Sequence, residues 1–410
     1  VAQQARPPTN SSSFPALAVP EFRTLWLGQI FSAIGTWMQI VALSLLVLKL
    51  SGGSTAELGV VSLVQALAFF AFALPGGSVA DRFDKRRLLM VTQTTQGLLA
   101  ALLGVLTASG HISLWSVIGL AFVSSAVLSV DQPTRSALAT SLVPRELLTS
   151  AVSLNSVVFN GAAVLGPALA GILVARAGLG SAFYANALSY GGVLLSLALI
   201  RSRPASETSS KGNFLESLRE AFRAVRRQEA LPWVMGGYAA LLFFGPSTSL
   251  ILPVLATKIL HLPESDLGFL FSAAGVGTVL GGLLLSRMGL LERRGLILLS
   301  SLFAWVGSLV LLALSRSLGL SMLALFIFGF AQTWFGTLVV ALLQGSVGAS
   351  MRGRVMSLNT LLIMGVRPMG DFPAGLLIGA LGVPGVVLLS AGLVGGFGLL
   401  LARQSSVNSL

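Results

Sequence analysis

Residues 153–173 read SLNSVVFNGAAVLGPALAGIL, and residues 357–377 read SLNTLLIMGVRPMGDFPAGLL. Laid over one another without a gap, the two stretches share Ser-Leu-Asn, Gly161 with Gly365, Gly166 with Gly370, Ala170-Gly171 with Ala374-Gly375, and Leu173 with Leu377. The shift is 204 residues in a chain of 410. An upstream echo, Gly77-x-x-x-Asp81-Arg82 against Gly282-x-x-x-Ser286-Arg287, lies at a shift of 205. Two echoes at nearly one shift predict two similar halves. In membrane proteins, paired halves are a common way of building one substrate site between two bundles.

Composition puts the chain in a bilayer. Hydrophobic residues make up 54%, charged residues 10%, and the mean hydropathy is +0.88. A soluble domain carries about 25% charged residues. The 46 glycines suit close helix packing in lipid. Strands are not expected, because the apolar runs are continuous rather than alternating. Twelve runs are long enough to cross a core of about 30 Å as helices. They fall at 24–49, 55–80, 86–109, 112–132, 147–174, 179–200, 230–256, 265–287, 294–315, 318–344, 353–379 and 383–402. The predicted fold is an all-α membrane protein of twelve transmembrane helices in two six-helix bundles. Its parts are a polar tail at 1–20, a first bundle at 21–200, a linker at 201–229, a second bundle at 230–403 and a tail at 404–410. The tail at 1–20 has no charged-then-apolar signal pattern with a cleavage site, so the first span is expected to be retained.

Charge sets the orientation. With the N-terminus inside, 21 of the 26 Lys and Arg residues fall in predicted inner segments and 4 in outer ones, leaving Arg367 within a span. That bias follows the positive-inside rule and places both termini in the cytoplasm. It also accounts for the net charge of +12 through anionic lipid rather than nucleic acid. The linker becomes periodic after Asn213, with Phe214, Leu215, Leu218, Phe222 and Val225 at helical spacing among charges. This predicts an amphipathic helix on the inner membrane surface.

Several motifs resemble one family. Gly77-Ser-Val-Ala-Asp81-Arg82-Phe-Asp84-Lys85-Arg86-Arg87 follows the second span. It resembles the G-x-x-x-D-R-x-G-R-R/K loop of the major facilitator superfamily, departing from it at Asp84. Gly166-Pro167-Ala-Leu-Ala170-Gly171 in the fifth span resembles the core of that superfamily's exporter and antiporter signature. Its usual preceding glycine would fall at Ala162, whereas here Gly161 is displaced by one. Phe22-Arg23-x-Leu25-Trp26, Gly35-Thr-Trp-Met-Gln39, Asp131-Gln-Pro-Thr-Arg135 and Arg352-Gly-Arg-Val355-Met-Ser357 resemble a bacterial subgroup that includes siderophore and macrolide exporters.

The resemblance covers essentially the whole chain and implies a secondary transporter that exports a small, partly apolar molecule in exchange for protons. It implies a monomer in the cytoplasmic membrane, with no cofactor. It also implies an inner gate of Gly77, Asp81, Arg82, Arg86 and Asp131, in which Asp81 docks on the start of the eleventh span and Arg82 pairs with Asp131. Gates of this kind hold in one state and break in the other. A lipid flippase, or an uncoupled facilitator or uptake transporter of the same fold, is the alternative.

The eleventh span is chemically the richest. Arg367 and Asp371 are four apart and share a helix face, between Pro368 and Pro373. A charge deep in a span is costly, so both are expected to face the interior and pair. In the repeat they stand where Ala163 and Pro167 stand, so only one half carries them. Two readings follow, a proton-coupling acid or a static buried ion pair. The other acids, Asp131 among them, are expected nearer the membrane surfaces. In the family architecture the first, fourth, seventh and tenth spans line the centre. Trp37, Gln39, Tyr238, Phe244, Gln332 and Trp334, joined by Asn155 and Asn160 of the fifth span, are therefore the expected substrate cavity. Amphipathic aromatics with a few amides suit a bulky ligand.

Enzyme chemistry finds no support. The chain has no Cys and only two His, His111 and His261, both in predicted loops. It has no metal-ligand cluster and no phosphate-binding G-x-x-x-x-G-K-[ST] loop.

Overall fold

The computed structural model describes residues 14–200, 214–263, 266–288 and 293–408, and every regular element among them is helical. The first half contains α1 (Pro20–Leu50), α2 (Thr55–Arg82), α3 (Lys85–Ala108), α4 (Leu114–Ser141), α5 (Leu148–Ala177) and α6 (Leu179–Leu199). A short helix in the linker, α7 (Phe214–Arg226), follows. The second half contains α8 (Leu231–Phe244), α9 (Thr248–Val254), α10 (Leu267–Arg287), α11 (Arg294–Leu314), α12 (Leu318–Gly345), α13 (Ala349–Leu361) and α14 (Arg367–Ala402). The short α15 (Ser405–Asn408) ends the described chain. Single π-helical turns follow α9 at Leu255–Ile259 and join α13 to α14 at Leu362–Val366.

Among the described residues, 11 helical stretches are long and apolar enough to cross a membrane. The last, Arg354–Ala402, has 49 residues. At 1.5 Å per residue it would reach about 73 Å, more than twice the hydrocarbon core. Gly382 divides it, with φ of +69°, a left-handed conformation that glycine adopts without a Cβ clash. Two crossings result from this one stretch, which brings the total to twelve. The span expected as one helix over 230–256 is itself in two pieces. Pro246 lacks an N–H and disfavours helical backbone at Gly245, so α8 stops at Phe244 and α9 restarts after Ser247.

The helix pairings repeat between the halves. In the first, α1 packs on α6, α3 on α6 and α2 on α4. Their counterparts in the second are α8 on α14, α11 on α14 and α10 on α12. Two seams join the bundles, α2 against α14 and α5 against α10, and the repeat exchanges one for the other. Small residues bring the backbones together there. A Cβ on Gly59 of α2 would stand 2.9 Å from Phe372 Cα, and one on Gly268 of α10 would stand 2.6 Å from the Pro167 carbonyl. Thr55 Oγ1 donates to the Gly375 carbonyl at 2.7 Å, and Ser272 Oγ to the Val164 carbonyl at 2.7 Å. These contacts lie in the halves of the helices remote from the α7 linker. Lys258 Nζ, donating to the Gly53 carbonyl at 2.7 Å, ties the bundles at the same far side.

On the linker side, α7 lies against α13 rather than presenting its apolar face to lipid alone. Ala221 and Val225 are buried in the core, Glu220 pairs with Arg354, and Phe222 is exposed. The side chains of Phe214, Leu215 and Leu218 lie outside the described residues, and of the remaining apolar face protein covers Val225.

Candidate functional site

The break in the seventh crossing organises the second half. Ser247 caps α9, its Oγ accepting the Leu250 N–H at 3.3 Å. Its own N–H donates to Asp371 Oδ1 at 2.9 Å, and its hydroxyl to Oδ2 at 2.8 Å. Asp371 is buried, and both its oxygens serve the chain break that Pro246 creates. Ser62 of α2 faces the same carboxylate from the other bundle. One side chain therefore touches the cap of α9 at the break and one of the seams.

The expected direct pair between Arg367 and Asp371 does not form. Among the described residues, ion pairs join Arg135 to Asp131 and Arg354 to Glu220. Helical side chains lean toward the N-terminus of their helix, so Arg367, the N-terminal member, leans away from Asp371. Its charge faces Asp371 first and Tyr238 of α8 second, and its Nε is buried without a hydrogen-bond partner.

Asp131 sits in the linker-side half of α4, is 1% exposed and is held in a hydrogen-bonded network. Thr92 Oγ1 and Gln93 Nε2 of α3 donate to its Oδ1 at 2.6 and 2.7 Å. Arg135, one turn along α4, donates through Nε at 3.1 Å and through a terminal nitrogen at 2.5 Å. Among the described residues the cation on Asp131 is Arg135, and the expected pairing with Arg82 lies outside them. The side chains of Gly77, Asp81 and Arg82 lie outside the described residues. Arg86 has a different duty from the expected gate. It donates to the Leu197 and Ala198 carbonyls at 2.6 and 3.0 Å, capping the end of α6.

A cavity of about 330 Å³, lined by apolar side chains with amides and hydroxyls among them, lies where the first bundle meets α9 and the eleventh crossing. Gln39, Gln65, Gln96, Asn186 and Tyr190 supply its polar surface, and Met364 and Pro368 close it from the second half. Among the described residues, no Lys, Arg, His, Asp or Glu lines it. Its amides are oriented by partners. Asn186 Nδ2 donates to Gln39 Oε1 at 2.7 Å, and Ser124 Oγ to Gln96 Oε1 at 2.8 Å.

Of the eight residues expected to form the substrate cavity, this one includes Gln39 alone. Trp37 turns to α5, its ring 5.8 Å from Phe159 and its Cβ against Gly166. Asn155 and Asn160 line a separate opening between α4 and α5. Trp334 ties α12 to α10 by donating to the Gly281 carbonyl at 2.9 Å, and it stacks on Phe330. Tyr238 is buried against Phe335, Phe244 is exposed beside Phe243, and Gln332 buries an unpartnered Nε2. In the fifth-span motif, Gly166 meets α1, Pro167 turns its carbonyl to Gly268, and Gly171 is buried. The cavity residues missed by sequence are amides and hydroxyls on α2, α3 and α6. Gln65, Gln96 and Asn186 interrupt apolar spans, and that was the available signal.

The transmembrane secretion effector family matches residues 11–408. The enterobactin exporter EntS of Citrobacter koseri is 25% identical over 387 residues, covering 93% of this chain and 90% of that protein. The staphyloferrin A transporter of Staphylococcus aureus is 28% identical over 260 residues, covering 62% of this chain and 64% of that protein. Among solved structures, a bacterial homologue of the human lysosomal transporter Spinster, in an inward-facing and unoccupied conformation, superposes with a TM-score of 0.71 at 15% identity. That superposition covers 94% of this chain and 97% of that one.

Proposed function

The chain belongs to the transmembrane secretion effector family of the major facilitator superfamily, and from that premise we propose that it exports a small, partly apolar molecule across the cytoplasmic membrane by alternating access, in exchange for protons. The observation that carries this reading is the cavity between the halves, beside seams whose close contacts at Thr55, Gly59 and Gly268 lie on the side remote from the linker. The excess of Lys and Arg on the linker side supports that side as the cytoplasmic one. The described state is then closed to the outside. A monomer suffices, because both halves of the site are in one chain.

Asp371 is the coupling acid in this proposal. Ionised, it accepts two hydrogen bonds at the break of the seventh crossing. A proton taken up on Asp371 while the site faces outside removes that charge and is carried inward, and its release to the cytoplasm restores the ionised acceptor and its grip on Ser247. Charge-assisted bonds of this kind are about twice as strong as neutral ones, so their loss can shift a two-state balance.

Everted membrane vesicles test the proposal. Enterobactin and staphyloferrin A, the molecules in the relatives' names, are the first substrates to try. Accumulation that needs an imposed pH gradient and collapses with a protonophore is the expected result. Asp371→Asn should abolish accumulation while leaving exchange of substrate across the membrane intact. Equal rates with and without the gradient would replace export with facilitated passage.

A further inference from the structure

We propose that Lys258 is the outer latch of the transport cycle, its ammonium clasping the Gly53 carbonyl to hold the two halves shut across the way out of the cavity. This deepens the alternating-access reading and rests on it.

The acceptor is held in place. Gly52 and Gly53 turn the chain between α1 and α2 with φ of +63° and +88°, conformations that suit glycine. The turn is tied within itself. The Gly53 N–H donates to the Leu48 carbonyl at 2.7 Å, and Ser51 Oγ to the Ser54 carbonyl at 3.1 Å. The Gly53 carbonyl then accepts from Lys258 Nζ at 2.7 Å. A Cβ on Gly53 would stand 3.2 Å from Lys258 Cε and 3.3 Å from Nζ, so the lysine lies close across the turn.

The donor is delivered by an irregular piece of helix. Lys258 belongs to the π-helical turn Leu255–Ile259 that ends the seventh crossing, and the Leu260 N–H closes that turn on the Leu255 carbonyl at 2.9 Å. Single π-helical turns within helices are frequent at functional sites. The preceding α9 packs on α1 and α2 of the first half and on α14 of its own. The outer piece of the seventh crossing is therefore held at both ends. Asp371 takes Ser247 at one end, and Gly53 takes Lys258 at the other.

The bond also stands in a particular place. Gly53 follows the first crossing, and Lys258 ends the seventh, its counterpart in the other half. The two residues are 205 apart in the chain, the shift of the upstream echo. A contact between matching places of a two-fold repeat falls beside the axis that relates the halves. On the cavity side of the bond, Val47 of α1 and Leu250 of α9 line the cavity, and both are buried. Opening the outer side parts matching places across the axis. The bond is thus made in the closed state and broken in the open one, which lets it bias the balance between them.

The test uses the full chain, whose lack of cysteine allows a single reporter, Val47→Cys, in the cavity wall. In right-side-out vesicles, a membrane-impermeant maleimide reaches it only when the outer side opens, so the labelling rate follows the open fraction however small that is. Lys258→Met should raise the rate about two- to tenfold, the net worth of one hydrogen bond. Lys258→Arg still donates and should stay near the parent rate. Lys49→Met removes another cation, in the last turn of α1, and should leave the rate unchanged. Lys258 is exposed, and Lys258→Ala stands in should Lys258→Met not fold. An unchanged rate on losing Lys258, or an equal rise in Lys258→Arg or Lys49→Met, would overturn the latch. Gradient-driven accumulation by the unaltered chain in everted vesicles is measured separately, so export can stand while the latch falls.

Discussion

Asp131 with Arg135, and Asp371 with Arg367, are the same two residue types at the same four-residue spacing, and they end in opposite states. In α4 the acid comes first, and Arg135 leans back along the helix onto it, within 2.5 Å. In α14 the arginine comes first and leans away. Asp131 is then saturated by its own bundle, through Thr92, Gln93 and Arg135. Asp371 is taken by Ser247 at the broken crossing, and Arg367 is left with an unpartnered Nε. The order of two charges on a helix thus separates a closed pair from an open one, whose acid serves another element. The closed pair suits a rigid element and the open one a moving part. The halves share a plan, but only the second carries the open pair.

The comparison can be broken most severely at Asp371. Asp371→Leu leaves the Ser247 N–H and Arg367 without a carboxylate, and removing one member of a buried pair costs about 3–5 kcal/mol. Thermal unfolding in nanodiscs should show that loss. Arg367→Met combined with Asp371→Leu should recover most of it, since no stranded charge remains. A double variant as unstable as the single would mean that the Ser247 cap, rather than charge balance, is the whole role of Asp371.

A smaller effect is expected at the closed pair. Asp131→Asn keeps two acceptor lone pairs for Thr92 and Gln93 but loses the charge facing Arg135. Arg135 is 30% exposed and can recover water, so the cost should be about 1.5–3 kcal/mol, the value of a charge-assisted bond. Transport by Asp131→Asn should survive in proportion to folded protein. A specific loss of gradient dependence in this variant would erase the distinction drawn between the two pairs.

The smallest effect belongs to Glu220 and Arg354, a pair between α7 and α13 whose side chains are 38% and 37% exposed. Glu220→Gln should change stability by about 0–1 kcal/mol and should do so less at high salt. A larger shift, or altered transport, would show that the linker helix restrains the eleventh crossing.

Much of the fold was legible because it rests on covalent and compositional facts. The repeat around Gly166 and Gly370 announced two halves, continuous apolar runs announced the crossings, and Gly382 and Pro384 fell where two of them divide. The buried charges were visible for the same reason, since Arg367 and Asp371 stand out in an apolar span. The substrate-facing residues were harder. Trp37 and Trp334 looked suited to a cavity, yet the first turns to α5 and the second ties α12 to α10. In a soluble helix the apolar stripe marks the buried face. In a bilayer the lipid side is as apolar as the interior, so the period of hydrophobicity says little about which way a helix is turned.

The amino-acid sequence by itself determined the class of this protein, its two-fold plan, the number of crossings and the presence of charge within the eleventh. Those follow from hydropathy, length and repetition, which need no knowledge of neighbours. Only the tertiary structure decided that Asp371 serves Ser247 rather than Arg367, that Asp131 is locked by α3, and that Gln65, Gln96 and Asn186 share one cavity. Each of these depends on helix rotation about its own axis and on which side chain of another element arrives within about 3 Å, the reach of a hydrogen bond. In lipid that rotation is set by packing between helices far apart in the chain, and no local stretch of sequence carries it.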